Sequence, residues 1–148
     1  ARLAGNDLNV SYGTVEVAAA DFGAAGDTIR LARLPAGARV LSIDIMNDDL
    51  DSWTSSAVDI GVFLPDHTVK LRDAFASAST ALRAASTDWT NLRFENDDIA
   101  DVDEALYKIA GDDFADNAQY DIVAYQTAAV SGAQSGTVTY RILWTQGN

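Results

Sequence analysis

Carboxylates are the side chains best placed to do chemistry in this chain, and they come in three crowded runs. Asp48, Asp49 and Asp51 make the first, Asp97, Asp98, Asp101 and Asp103 the second, Asp112, Asp113 and Asp116 the third. Calcium selects loops that gather oxygen ligands in this way, although none of the runs has the spacing of an EF-hand loop. The other reading is that these aspartates cap turns, because their side chains bond their own backbone. Two carboxylates facing one cleft would be the pair that hydrolyses a glycosidic bond, but spacing along the chain brings no such pair together. His67 is the only histidine and sits in a Pro-Asp-His-Thr turn, with no neighbour to tune it as an acid or base. "GAQSG" (132–136) lacks the G-x-S-x-G spacing of a nucleophile elbow, and no glycine-rich phosphate loop is present. The chain contains no cysteine, which removes disulfides, thiolate catalysis and Cys-ligated zinc. The sequence thus implies no enzyme and no cofactor.

Aromatic residues offer a different chemistry, that of contact. Trp53, Trp89 and Trp144 could present rings to a sugar. Trp144 follows a core-like alternation. Trp53 lies in the polar stretch "NDDLDSWTSS", where a tryptophan either marks a contact surface or anchors its loop. Residues 1–13 interleave Leu3, Leu8, Val10 and Tyr12 with Arg2, polar residues and glycines. They read as an arm able to lie extended over a neighbour, as a first loose strand, or as a flexible tail. Arg2, Leu3, Leu8, Val10, Tyr12 and Trp53 are accordingly the candidate interface residues.

The elements that must position these groups are strands. Val15 and Val17 alternate with Glu16, and Ile29 and Leu31 alternate with Arg30. "LPAG" follows, with Pro35 and Gly37 at turn positions, and then "RVLSIDIM" (39–46) sets Leu41, Ile43 and Ile45 against Ser42 and Asp44. This pattern predicts an antiparallel hairpin over 28–46, with its apolar residues in the core. "AVDIGVFL" (57–64) alternates again, and Gly61 faces the side where a bulge or close neighbour needs room. The Ala-rich run after Val69 predicts one or two helical turns within 73–85. A strand is expected over 87–95, with Trp89 opposite Leu92 and Phe94, and a short helix between Asp101 or Asp103 and Gly111. "QYDIVAYQT" and "GTVTYRILWT" read as two strands joined by a hairpin loop. Seven or eight strands at this spacing, with helix confined to connections, predict a single all-β sandwich domain (14–148), most simply a jelly roll.

Charge limits the partners. The chain has 148 residues and a net charge of −12, a surface that repels nucleic acid and anionic membranes. Copies of such a chain also repel each other. Any self-association must therefore rest on apolar contacts and on pairing Arg2, Arg30, Arg33 or Arg39 with acids across the interface. No apolar run approaches a membrane span, and "ARLAGNDLNV" has no apolar signal-peptide core, so synthesis in a cytoplasm is expected.

The order of segments resembles a known group. "TVEV", "GAAGDTIRLARLPAGARVLSIDI", "AVDIGVF", "DAFASAS", "EALYKIAG", "YDIVAYQT" and "SGTVTYRILW" together resemble the capsid decoration, or cement, proteins of tailed bacteriophages, which have a β-sandwich or jelly-roll fold. The resemblance implies a homotrimer on the exterior of the phage head, made in the host cytoplasm and bound to the major capsid protein at quasi-threefold sites. It implies no catalytic residue, no cofactor and no contact with nucleic acid or membrane. The alternative is a β-sandwich carbohydrate- or receptor-binding module of a phage tail or fibre.

Overall fold

The computed structural model describes residues 7–52, 55–97 and 103–146. Eight strands form two antiparallel sheets. They are β1 (Leu8–Val17), β2 (Thr28–Pro35), β3 (Ala38–Asn47), β4 (Val58–Phe63), β5 (Val69–Ser79), β6 (Ser86–Asn91), β7 (Gln119–Gln126) and β8 (Gly136–Gln146). One sheet runs β1-β8-β3-β6 and the other β2-β7-β4-β5. First pairs with last (β1 with β8), second with seventh, third with sixth and fourth with fifth. This winding is a jelly roll, the expected all-β sandwich. Helix is confined to connections: 3₁₀ turns at Ala19–Asp21 and Ala81–Arg83 and one turn of α-helix, α1 (Leu106–Ile109).

The jelly roll overturns the hairpin expected over 28–46. The chain does turn at residues 36–37, but β2 and β3 belong to different sheets. The turn is a corner of the sandwich. It is anchored from outside: the Ala36 N–H bonds the Ala118 carbonyl, and the Ala36 carbonyl accepts from the Tyr107 N–H of α1. β2 and β3 then face each other across the core and take backbone partners from β7 and β8. The expected hairpin between β7 and β8 is likewise a crossing between sheets, and β4–β5, closed by residues 65–68, is the one pair of consecutive strands that shares a ladder.

Other expectations change. The pairing of β3 with β8 shifts between Val40 and Ser42, a bulge that reverses the alternation. Val40, Ile43 and Ile45 therefore enter the core, while Leu41 is only half-buried. The Ala-rich run expected to be helical is β5, with only Ala81–Arg83 turning as 3₁₀. Ala74, Phe75 and Ala76 are buried there; their packing outweighs alanine's weak strand preference. The N-cap of α1 is Ala105, with no side-chain cap, so Asp103 does not cap it, whereas Gly111 at φ +78° does end it as expected. Residues 8–13, read as an arm or a first loose strand, form the start of β1 and pair with β8 up to Thr145.

The core lies between the sheets. Ile29, Leu31 and Leu34 of β2 meet Ile43 and Ile45 of β3, Ile60 and Val62 of β4, Ile122 of β7 and Ile142 of β8. Each such fully buried side chain contributes about 2 kcal/mol. Arg93 is buried among them. Its guanidinium lies 4.7 Å and 4.6 Å from the ring centres of Phe75 and Phe94, donates to the Val40 carbonyl at 2.8 Å and pairs with Asp97. The charge is tolerated because both its donors and its faces are occupied.

Candidate assembly surface

Edge strand β1 alternates strictly. Val15 and Val17 turn inward, and Leu8, Val10 and Tyr12 project from the outer face of the sheet. They are 59%, 48% and 78% exposed. Water-facing apolar side chains on a sheet edge are a liability unless something covers them.

Behind them stands a row in register across all four strands: Tyr12, Arg141, Asp44 and Asn91. Arg141 Nη2 lies 3.0 Å from Asp44 Oδ2, and the guanidinium stacks 4.4 Å from the centre of the Trp89 ring. This stacking holds Trp89, 38% exposed, over the outer face. Val10, Tyr12, Trp89 and Arg141 border a mostly apolar hollow of about 260 Å³. Trp89 and Arg141 were absent from the interface residues drawn from the sequence. The signal was there in the alternation, which turns Trp89 away from Leu92, but only the sheet brings it towards β1. Trp144 packs half-buried against the core, its indole N–H donating to Ser11 Oγ at 3.0 Å. Arg2, Leu3 and Trp53 lie outside the described residues.

The aspartate runs are engaged by backbone and cations. Asp48 Oδ2 accepts the Thr137 N–H, and Asp49 Oδ1 accepts that of Asp51. Asp51 Oδ2, buried, accepts the N–H groups of Ser55 and Ser56, each at 2.7 Å. In the second run, Asp97 pairs with Arg93, and Asp98 and Asp101 lie outside the described residues. In the third, Asp116 Oδ2 accepts the Asp113 N–H. Asp112 receives Lys70 Nζ at 2.8 Å and the Tyr120 hydroxyl at 2.7 Å. Lys70 and then Tyr120 hold the Asp112 carboxyl below its ordinary range. Burial, then the bond to Asp112, pushes the Tyr120 hydroxyl up to about 12. Among the described residues, no three His, Asp or Glu side chains converge as ligands. His67, at φ +74°, is exposed in the β4–β5 turn.

The site is thus a patterned, exposed apolar surface on a jelly roll. No protein-family model and no curated protein matches the sequence. Solved structures share the fold over its whole length. A chain from the capsid of Ralstonia phage GP4 superposes with a TM-score of 0.65 at 18% identity, covering 100% of this chain and 90% of that one. A chain from the capsid asymmetric unit of cyanophage Pam1 gives 0.59 at 19% identity, with 99% and 94% covered.

Proposed function

We propose that this chain is a virion structural protein, specifically a decoration (cement) protein that binds the outside of a phage head and steadies the major-capsid lattice. The observation that carries the reading is the end-to-end likeness to chains of two phage capsids. The exposed face formed by Leu8, Val10, Tyr12 and Trp89 is the surface it would bury against the lattice, and the chain would act as a homotrimer. Stabilisation then follows from mass action: a protein that binds the expanded shell more tightly than its precursor shifts the equilibrium towards the expanded form. No step of this needs catalysis.

Mass spectrometry of purified virions tests the reading, which expects copy numbers close to those of the major capsid protein. Binding to expanded shells should fall at least about tenfold in a Val10→Asp, Tyr12→Asp double variant, as for loss of a buried contact centre. A few copies per particle would refute it. That result would favour the tail or fibre module, for which the hollow between Tyr12 and Trp89 offers a seat for a sugar ring; glycan-array binding would then identify the ligand.

A further inference from the structure

The sandwich has two open flanks. On one, edge strands β1 and β2 part around a groove of about 460 Å³; on the other, β5 and β6 part around one of about 480 Å³. The grooves match in size and differ in charge. The first is lined by Arg30 and Arg33 with Val10 and Tyr12, and no carboxylate among the described residues borders it. Arg33 is held by Asp121 at 2.8 Å, but the Arg30 side chain makes no hydrogen bond or ion pair among the described residues. The second is lined by Glu95 with Thr90 and Phe94, and no cation among the described residues borders it. Glu95 is exposed, as is Asp88 on the neighbouring edge strand β6, and neither carboxylate has a partner among the described residues.

We propose that copies of this chain associate head to tail, the basic β1–β2 flank of one seated on the acidic β5–β6 flank of the next. The occupant is a second copy because both halves of the contact are on one molecule, and because a chain of net charge −12 needs an unpaired cation such as Arg30 to face an acid before copies can approach. Open edges on both sides also allow backbone pairing between copies, extending one sheet into the next. Such a contact is heterologous, and three turns of the right angle close it into a ring. The inference rests on the self-association proposed above and specifies its geometry.

Charge exchange tests it. Arg30→Glu and Glu95→Arg are changes at exposed side chains, and a thermal melt of each checks the fold. Native mass spectrometry and sedimentation at fixed ionic strength should show each single variant associating at least about tenfold more weakly, since each places like charges at every junction. The double variant Arg30→Glu, Glu95→Arg should recover association, because every junction again joins opposite charges. A contact of β1 with its own counterpart behaves otherwise: Glu95→Arg has no effect and the double variant gains nothing beyond Arg30→Glu. That result, with an oligomeric parent chain, overturns the head-to-tail geometry and leaves self-association standing. A parent chain that is monomeric both free and on particles overturns both.

Discussion

Gly61→Ala places one methyl group where the fold has no room. Gly61 lies in β4, and β5 crosses it closely. An added Cβ would sit 2.1 Å from the Leu71 carbonyl oxygen and 2.2 Å from that of Arg72. Non-bonded heavy atoms attract near 3.5 Å, so β5 would have to retreat by about 1.4 Å. It cannot do so freely. Val62 pairs with Leu71 and Ile60 with Ala76, so β5 bulges between these points. Buried Asp59 clamps the bulge at both ends, its Oδ2 taking Arg72 Nε and its Oδ1 the Ala78 N–H, each at 2.7 Å. Either the clamp or the ladder yields, and overpacking of this kind costs about 3 kcal/mol. For a chain of this length, that lowers the melting temperature by about 9 °C.

Two other glycines serve as controls. At Gly37 the nearest atom to an added Cβ is 3.5 Å away, an ordinary contact, so Gly37→Ala should be neutral or gain about 0.5 kcal/mol through the unfolded chain. Gly111 has open space but φ +78°, and Gly111→Ala should cost about 1 kcal/mol of backbone strain. Thermal unfolding of the three variants checks the ranking. A Gly61→Ala protein that melts within the error of Gly37→Ala would refute the steric account.

The core, the acid–base pair and the aspartate loops give further tests. Ile43→Asp should abolish folding, since Ile43 is fully buried with no partner for a charge, while Leu41→Asp, half-buried at the bulge, should leave a folded protein by circular dichroism. Asp112 has a depressed pKa in the folded chain, so its contribution is present above its unfolded value of about 3.8 and lost as pH falls through the lower folded value; acid melts should show Asp112→Asn losing that component. Tyr120 is the opposite case: raised from 10.0 to about 12, it contributes fully below about pH 10 and loses that contribution as pH rises towards 12, a decline that Tyr120→Phe should lack. A chelator should leave the melting temperature unchanged, because Asp48, Asp49 and Asp51 already bond backbone N–H groups; a drop of several degrees reversed by calcium would show that these loops hold a metal.

The sequence by itself determined what is local. Alternation marked β2, β3, β4, β7 and β8 to within about two residues, because a strand half-buried on one face must repeat with period two. Pro35 and Gly37 marked the turn at 36–37, and Gly61 marked a close crossing that a side chain would block. Tertiary structure alone decided the partners. Whether the turn at 36–37 closes a hairpin or rounds a corner depends on strands roughly 90 to 105 residues away: Asp121 takes Arg33, and Thr145 takes Arg39. Nothing in the turn itself carries that information. The same distance hid the Leu41 bulge, the strand made from the Ala-rich run and the meeting of Trp89 with Arg141. Alanine and aspartate are the least informative residues here, since a small side chain packs in a strand as well as a helix and a carboxylate serves a turn as well as an ion. Their roles were set by what the folded sheets brought within reach.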